Sequence, residues 1–500
     1  MSYNWTLQTS GPNLNWYSIA SSSDGTRVIG CDPINNLVYT GLYSSSIWSW
    51  TQSTGLPNNG WYTVASSSDG TKLVVAGSNN YVYTGVLNVV SSTVIWTQNI
   101  TGLSLGNIWN SVASSSDGTK LVLASNNYVY TGELNGTTVT WTQNTTGLPT
   151  GNQWNSVASS SDGTKLVVAG NNISDINGFL YTGVLNGSTV TWTQNITGLP
   201  NDPFSFIQSV ASSSDGTKLV IVGTGNSNFL YTGVLNGTTV TWTPQIDLPN
   251  VPWKSVASNS LGDRIVVGGV NTYVYTGVLT GTTVTWIQQT NIGNDRWYSV
   301  ASDSTGNNIF AGIEGNYLYT GVLEAPCFLK GSKILTANGY EKIEDLKKGD
   351  LIETYRNGLK EINLIGKREI YHQANKERIK DILYKYSKNE YIEYLDGLTE
   401  DLVITGGHSI LVDDFKNDRE RKKNKDLFQE KYPIIDGKHR LLACVDENAS
   451  IYEKEGKYFI YHLALESEDE DQAYGIYANG MLVESCEIKY LKEVSGMELL

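Results

Sequence analysis

The chain has 500 residues, more than one average hydrophobic core uses, so we expect at least two domains. Its formal net charge of −14 argues against nucleic acid or an anionic membrane as the main partner. Four cysteines in 500 residues do not form a disulfide framework, and we find no signal peptide and no apolar stretch of about 18 residues. We therefore expect no membrane insertion and, by default, a cytoplasmic or virion-associated protein.

Charged residues are divided unevenly along the chain. Residues 1–326 contain 8 Lys and Arg and 15 Asp and Glu, which leaves 27 of the 35 basic and 34 of the 49 acidic residues for 327–500. Such a step in composition marks a domain boundary. We predict a first domain at 1–324, a junction at 325–326, a second domain at 327–487 and a C-terminal tail at 488–500.

The first part is built from a repeat. Each unit has an Ala-Ser-Ser-Ser-Asp-Gly-Thr phrase or a degenerate copy, a β-branched run, a Tyr-Thr-Gly and, in six units, a Trp-containing strand. Asp-Gly favours a hairpin turn, because both central residues need a positive φ. Four strands per unit and seven units predict a seven-bladed β-propeller. The phrase begins at Ala20, Ala65, Ala113, Ala158, Ala211, Ala257 and Ala301.

The chain start is predicted to close the ring. The seventh unit has Tyr319-Thr-Gly but no Trp-containing strand before Cys327, whereas Asn4-Trp5-Thr6-Leu7-Gln8 supplies such a strand with no unit before it. Pairing the first strand with the last unit would leave no open sheet edge.

The repeat resembles BNR/Asp-box-like propeller repeats at its Asn-Gly-Thr-Thr-Val-Thr-Trp segment, as at 236–242, although the aspartate of the box is missing. Some proteins with such repeats are glycosidases, which need a cluster of arginines, a tyrosine nucleophile and acids. The propeller has only Arg27, Arg264 and Arg296, and the first two occupy one repeat position. A glycosidase is therefore our third alternative, and a protein or glycan partner on a propeller face is expected without a location.

Two sets of repeated side chains allow alternatives. The tyrosines of Tyr-Thr-Gly could form a sugar-stacking ring, but we favour packing between blades. The aspartates of Asp-Gly could form a cation ring, but we favour turn chemistry. The sets are Tyr39, Tyr83, Tyr130, Tyr181, Tyr231, Tyr275 and Tyr319, and Asp24, Asp69, Asp117, Asp162 and Asp215.

Three segments of the second part carry a recognisable order. The chain reads Cys327-Phe-Leu-Lys-Gly-Ser, then Leu402-Val-Ile-Thr-Gly-Gly-His, then Tyr477-Ala-Asn-Gly-Met-Leu-Val-Glu-Ser. Together they resemble the Hint domain shared by Hedgehog autoprocessing domains and inteins, over about residues 327–487. The resemblance implies a mostly-β domain that processes its own chain, and the whole protein is then all-β.

The residues also make chemical sense for self-cleavage. A thiol can attack the carbonyl that precedes it, so Cys327 could convert the Pro326–Cys327 amide into a thioester. The departing nitrogen needs a proton, and a neighbouring group must hold the amide. The resemblance implies that His408 and Thr405, the Thr-x-x-His pair, supply these functions. Water or a small nucleophile (an amine, a thiol or a sterol-like alcohol) would resolve the thioester.

The end of the second domain departs from splicing inteins. Glu484-Ser485 stands where inteins have His-Asn, and serine cannot cyclise, so we expect no splicing even though Cys486 follows. We interpret Cys444, His372, His439 and His462 as structural, and we expect no metal or cofactor, because no Cys/His cluster has ligand spacing. The main alternative is a binding or structural propeller with a vestigial Hint domain.

Overall fold

A computed structural model describes residues 3–44, 47–79, 81–89, 91–149, 152–172, 178–199, 206–225, 228–323, 326–372, 382–388, 397–428, 434–495 and 497–500. The chain divides into two compact units, Met1–Val322 and Leu323–Leu500. Of the predicted junction at 325–326, only Pro326 lies within the described residues. No helix in the described part of the chain is long and apolar enough to cross a membrane.

Unit 1 consists of short antiparallel strands with one 3₁₀ turn at Thr290–Ile292. In chain order the strands are β1 (Tyr3–Leu7), β2 (Ser18–Ser21), β3 (Arg27–Asp32), β4 (Leu37–Ser44), β5 (Ile47–Gln52), β6 (Trp61–Ser66), β7 (Lys72–Gly77), β8 (Val82–Asn88), β9 (Thr93–Gln98), β10 (Trp109–Ser114), β11 (Lys120–Ser125), β12 (Val129–Asn135), β13 (Thr138–Asn144), β14 (Asn152–Ser159), β15 (Lys165–Asn172), β16 (Gly178–Asn186), β17 (Thr189–Gln194), β18 (Phe206–Ser212), β19 (Lys218–Thr224), β20 (Phe229–Asn236), β21 (Thr239–Pro244), β22 (Trp253–Ser258), β23 (Arg264–Gly269), β24 (Tyr275–Thr280), β25 (Thr283–Gln288), β26 (Trp297–Ser302), β27 (Asn308–Ile313) and β28 (Tyr319–Leu323).

These strands form seven four-stranded sheets, the blades of the predicted propeller. Six blades take four consecutive strands, from β2–β5 to β22–β25, and the seventh has the order β1-β28-β27-β26. The N-terminal strand therefore completes blade seven, as the sequence predicts. Trp5 Nε1 donates to Gln289 Oε1 at 3.1 Å, and the Gln8 amide donates to the Leu318 carbonyl at 2.9 Å.

Two rings of hydrogen bonds join the blades in a full circle. In the first, a hydroxyl on each innermost strand accepts from a backbone amide of a neighbouring blade, as Thr63 Oγ1 does from Val112 at 3.0 Å. In the second, the third serine of each phrase donates its amide to the equivalent carbonyl of the next blade, as Ser68 does to Ser116 at 2.8 Å. The second ring runs through Ser23, Ser68, Ser116, Ser161, Ser214, Ser260 and Ser304, and returns to Ser23.

The repeated aspartates are satisfied within their own turns. Asp117 Oδ1 accepts from Ser115 Oγ at 2.6 Å and from the Thr119 amide at 3.0 Å. These hydrogen bonds, the one from Ser115 above all, lower the pKa of Asp117 to about 2. The geometry supports turn chemistry for this set of residues.

Five of the seven repeated tyrosines pack beside the buried tryptophan of an inner strand, namely Tyr83, Tyr130, Tyr181, Tyr275 and Tyr319. Tyr83 lies 5.8 Å from Trp61, centroid to centroid and nearly perpendicular, and both rings belong to a buried cluster that also contains residues of blade one. The glycine of Tyr-Thr-Gly is required by close packing, because a Cβ on Gly85 would come within 2.7 Å of the Trp96 ring. The packing interpretation of the tyrosines is supported.

Unit 2 is a curved, mostly-β fold whose longest pair joins β33 to β40. Its elements are β29 (Phe328–Leu329), β30 (Lys333–Thr336), β31 (Gly339–Lys342), a 3₁₀ turn (Ile343–Asp345), β32 (Leu351–Thr354), β33 (Gly358–His372), β34 (Leu383–Tyr386), β35 (Leu402–Thr405), β36 (Ser409–Val412), α1 (Asp418–Leu427), β37 (Ile434–Ile435), β38 (Lys438–Leu442), β39 (Ser450–Ile451), β40 (Gly456–Leu465), β41 (Gly475–Ala478), β42 (Met481–Glu484), a π-helical turn (Tyr490–Val494) and β43 (Glu498–Leu499).

The two-residue strand β29 lies between β40 and β35 in the sheet of this unit. This position carries the start of the second domain into the hydrophobic core, where Phe328 is fully buried. Residues 488–500, assigned to the tail, pack onto the same sheet, because β43 pairs with β33 at Gly366 and Lys367.

Candidate active site

The Pro326–Cys327 amide is held by strand β35. The Cys327 amide nitrogen donates to Thr405 Oγ1 at 2.8 Å, and the Thr405 amide donates back to the Cys327 carbonyl at 2.9 Å. Two predicted site residues thus meet although 78 positions separate them. The hydroxyl therefore contacts the nitrogen of the Pro326–Cys327 peptide bond.

The Cys327 thiol is fully buried in an apolar cluster with Cys486, Ile460 and Leu491. Met497 Sδ lies 3.8 Å from its Sγ. Burial raises the pKa of the Cys327 thiol to about 12, and the positive charge of Arg368 opposes this only partly. At neutral pH the sulfur therefore carries its proton.

The turn from Thr405 to His408 is fixed through its backbone. The His408 amide donates to the Thr405 carbonyl at 3.0 Å, and Gly406 donates to Ile382 at 2.8 Å. In return, the His408 carbonyl accepts from Ala443 at 3.0 Å. Because the turn is anchored on both sides, the His408 side chain has a defined direction into the core.

The His408 imidazole is fully buried beside Phe328 and His462, with ring centroids 4.3 and 5.0 Å away. Neither of its ring nitrogens has a hydrogen-bond partner within the described part of the chain. Burial lowers the pKa of His408 well below its ordinary value, and the neighbouring His462 and Arg440 lower it further, because a second positive charge beside them is unfavourable. A neutral imidazole has one nitrogen that accepts a proton and one that donates.

His462, interpreted from the sequence as structural, belongs to this cluster. It lies on β40, its Nδ1 has no partner among the described residues, and burial lowers its pKa to about 3. Its contact with His408 joins strands 54 positions apart, and no local pattern in the sequence indicates it. The largely apolar run of β40 only places His462 on a buried strand.

A buried ion pair lies behind the histidines. Arg440 pairs with Glu484, whose side chain is 3% exposed, and Glu484 Oε1 accepts from the Ser409 amide at 2.7 Å. Burial raises the pKa of Glu484, while Arg440 and Ser409 oppose the shift. Glu484 thus anchors the residue next to His408, at the position where inteins have histidine.

Ser485 and Cys486 are also held by backbone contacts. The Tyr474 amide donates to Ser485 Oγ at 2.8 Å, and the Cys486 amide donates to the Leu463 carbonyl at 2.8 Å. Burial raises the pKa of Cys486 well above its ordinary value, and nearby Cys327 adds to the shift. The sulfur of Cys486 is therefore neutral.

The remaining candidates fit structural roles. The Leu383 amide donates to His372 Nδ1 at 3.0 Å, and His372 Nε2 lies 2.6 Å from the Tyr452 carbonyl. His439 packs on Phe415, and Cys444 is buried in the main core. The residues that the structure describes contain no group of three or more His, Cys, Asp or Glu suited to a metal ion.

Comparison with known proteins identifies the class of the second unit. Residues 326–487 match the family model described as "Hint domain". The chain is therefore a seven-bladed β-propeller followed by a Hint domain, and Hint domains are generally autoprocessing. The BNR/Asp-box resemblance is not confirmed.

Two solved structures are similar to this chain. Hydrazine synthase of Kuenenia stuttgartiensis is 14% identical, with a TM-score of 0.49, over 62% of this chain and 96% of that one. The β-propeller domain of Cps50 (Swd1) of Myceliophteria thermophila is 9% identical, with a TM-score of 0.49, over 63% and 99%. No curated protein matches the chain in sequence.

Proposed function

We propose that the Hint domain cleaves its own chain at the Pro326–Cys327 bond through a thioester and so releases the propeller. The observation that carries the proposal is the hydrogen bond from the Cys327 amide to Thr405 Oγ1. It supports the proposal because a polar side chain contacts the nitrogen of the peptide bond directly before the Cys327 side chain, where attack by the thiol on the Pro326 carbonyl is intramolecular.

The first step moves an acyl group from nitrogen to sulfur. The sulfur of Cys327 forms a bond to the Pro326 carbonyl carbon, and the bond from that carbon to the Cys327 nitrogen breaks. Neutral His408 accepts the thiol proton and gives a proton to the departing nitrogen, which becomes an amine. Its buried nitrogens, which have no partner among the described residues, suit this transfer.

The second step resolves the thioester. Water attacks the Pro326 carbonyl carbon, the carbon–sulfur bond breaks, and the products are a Pro326 carboxylate and the Cys327 thiol. A small amine or thiol would give the corresponding amide or thioester of Pro326. Ser485 cannot form the cyclic imide that cuts the far end of an intein, so residues 327–500 stay in one piece.

Intact-mass measurement of the purified full-length chain tests the proposal. The parent protein should yield two fragments, 1–326 and 327–500, whereas Cys327→Ala should remain whole. Cys31→Ala is the matched control, because Cys31 is an equally buried free cysteine in the propeller, and it should cleave like the parent. Uncut protein in every sample, even with added thiol, would contradict the proposal.

A pair of threonine variants tests the hydrogen bond itself. Thr405→Val keeps the shape but removes the hydroxyl, and should slow cleavage by about tenfold or more, as expected for losing a hydrogen bond made at the reacting group. Thr405→Ser keeps the hydroxyl and should stay within a few-fold of the parent rate. Equal cleavage rates in the two variants would show that the Thr405 hydroxyl takes no part in the reaction.

A second candidate function is a binding or structural propeller with an inactive Hint domain. The full burial of Cys327 under Met497 favours it, because a closed thiol is poorly placed to meet an external nucleophile. Proline before the scissile bond also hinders attack. A chain that stays whole under all conditions but binds a partner through the propeller would support this candidate.

A further inference from the structure

One repeat position in the propeller differs in chemistry from blade to blade. It directly precedes the hydroxyl residue that joins neighbouring blades through the first hydrogen-bond ring. The hydroxyl is kept in all seven blades, as Ser18, Thr63, Ser111, Ser156, Ser209, Ser255 and Ser299. The hydroxyl that joins the blades is therefore constant, whereas the residue before it is tyrosine, asparagine, glutamine or lysine.

A β-bulge lies at this variable position in six blades. The pairing of the innermost strand with its neighbour shifts between Trp61 and Thr63, and likewise across the equivalent residues of the other five. A bulge leaves its extra residue outside the regular ladder and redirects the side chain. The variable residues line a cavity of about 400 Å³ bounded by the innermost strands of all seven blades.

The variable residues are grouped by chemical type around the cavity. Blades seven, one and two supply tyrosines, and the Tyr17 ring lies 5.9 Å from Tyr298 in a stacked arrangement and 5.8 Å from Tyr62 edge-on. They form one continuous aromatic wall. Tyr17 is 43% exposed, so this wall is open to a ligand.

Blades three, four and five supply carboxamides opposite the aromatic wall. Asn110 Nδ2 donates to the Trp154 carbonyl at 2.8 Å, and Asn155 Nδ2 donates to Ile207 at 3.0 Å. These bonds fix the amide groups and leave their carbonyl oxygens as acceptors. The same side of the cavity contains Asn171, which is 5% exposed and whose Oδ1 has no partner among the described residues. A buried acceptor without a donor is costly unless a ligand or water supplies one.

Blade six supplies the one charge among the described residues that line the cavity, Lys254. No described residue forms an ion pair or hydrogen bond with its ammonium group. Nearby Arg296 is already paired with Glu314 at 2.8 Å. Burial, with Arg296 adding, lowers the pKa of Lys254, as expected for a cation that lacks a counter-ion. In a chain of net charge −14, this cavity has the opposite sign.

We propose that the cavity binds an acidic saccharide, with the sugar face on the tyrosine wall, its hydroxyls on the carboxamides and its carboxylate on Lys254. Aromatic rings and carboxamides together suit a ligand with one apolar face and many hydroxyls. The ammonium group selects a carboxylate, and the absence of acidic residues in the described lining argues against a metal cation. This binding site lies in the propeller alone, so it is independent of the cleavage reaction.

The test uses the full-length Cys327→Ala chain, which removes the cleavage reaction from the measurement. Glycan-array binding should select oligosaccharides that end in a uronic or sialic acid over the neutral oligosaccharides of the same backbone. Calorimetric titration with the best acidic oligosaccharide should give a Kd below about 1 mM. Inorganic phosphate and acetate should not compete at equal concentration.

Three variants locate the site. Lys254→Met should weaken binding of that oligosaccharide by about tenfold or more, the size expected for a charge-assisted hydrogen bond, and Lys254→Arg should restore most of it. Tyr17→Ala should weaken binding similarly. Lys120→Met is the matched control, because the Lys120 ammonium donates to the Asp162 carbonyl in a turn of the next blade and does not line the cavity. The affinity of this variant for the oligosaccharide should equal that of the Cys327→Ala chain.

Three binding results would overturn the proposal, apart from competition by phosphate. They are no acidic oligosaccharide bound on the array, a neutral analogue bound as tightly as the acidic one, or unchanged affinity in folded Lys254→Met. Thermal unfolding of each variant shows that it is folded. Competition by phosphate alone would indicate a simple anion site and would likewise contradict a saccharide.

Discussion

His408 keeps two buried polar atoms without a partner among the described residues, in contact with Phe328. A buried donor or acceptor left unpaired costs about 1–3 kcal/mol. His372, in the same domain, is also buried but forms hydrogen bonds through both ring nitrogens. The contrast supports the proposal that His408 serves the reaction, and it fits a structural role for His372.

Replacing each histidine by phenylalanine separates these roles. His408→Phe should abolish cleavage and leave the Hint domain as stable as the parent or more stable by about 1–3 kcal/mol, because orphaned nitrogens are removed. His372→Phe should destabilise it by a similar amount, because the Leu383 amide and Tyr452 carbonyl lose their partner. Urea unfolding in the uncut Cys327→Ala background gives the stabilities. A strongly destabilised His408→Phe would contradict this assignment.

The pKa shifts also predict a flat pH profile. Burial raises the pKa of Cys327 to about 12 and lowers that of His408 well below its usual value, so at pH 7 to 9 the thiol is protonated and the imidazole neutral. The transfer uses these two forms, and thioester formation should change less than about twofold between pH 7 and 9. Only at pH well below the ordinary histidine value should the rate fall, when His408 takes up a proton.

The measurement is the cleavage rate after dilution from urea into saturating hydroxylamine, so that the acyl shift limits the rate. An exposed cysteine of ordinary pKa would instead give a rate that rises about tenfold per pH unit below pH 8. Such a rise would show that the reacting thiol is not the buried one seen here.

Local motifs predict the site residues that lie at the start of the domain and in the Thr-x-x-His turn. They do not predict His462, Arg440 or Met497, because these contacts connect residues far apart in the sequence, 170 positions in the case of Met497 and Cys327. Histidine and methionine also occur commonly in cores, so neither residue type alone indicates a site.

At the scale of elements, the C-terminal segment covers the candidate active site. Strand β43 pairs with β33, and the segment before it buries Leu491 and Met497 against Cys327. The sequence analysis treats 488–500 as a tail, since a two-residue strand and one turn have no detectable periodicity. Only the tertiary contacts reveal that these residues cover the thiol.

Truncating Met497 should therefore loosen this closure. Met497→Ala should destabilise the Hint domain by about 2–3 kcal/mol, the lower part of the range for a buried methionine, because the chain end can partly collapse into the space. Leu500→Ala, at a residue that is 56% exposed, should stay within about 0.5 kcal/mol. Urea unfolding in the His408→Phe background, which keeps Cys327 but should not cleave, measures both. Equal stabilities would mean that the segment does not pack on Cys327 in solution.

The whole propeller is a ring that residues 3–323 complete, with β1 in blade seven and hydrogen bonds between all neighbouring blades. Its architecture follows from the sequence, because similar turns and strand patterns recur seven times. The cavity proposed to bind a saccharide could not be predicted from the sequence, because its residues are the positions at which the repeat varies. Only the bulges in the structure show that these residues face one space.

Removing the closing strand tests the ring. Deletion of residues 1–8 exposes the edge of β28, and should lower the propeller's Tm and promote aggregation. Adding a peptide of residues 1–8 should restore the Tm, whereas a scrambled peptide should not. Calorimetry and size-exclusion chromatography report both effects. An unchanged Tm after deletion would contradict closure by β1.

The central claim is that a thioester forms between Pro326 and Cys327, and hydroxylamine trapping with mass spectrometry tests it most directly. The account predicts a fragment that ends in the hydroxamate of Pro326, a second fragment that begins with Cys327, and neither product from Cys327→Ala. A chain that remains whole in hydroxylamine would contradict it. Cleavage after Pro326 that persists in Cys327→Ala would contradict it as well.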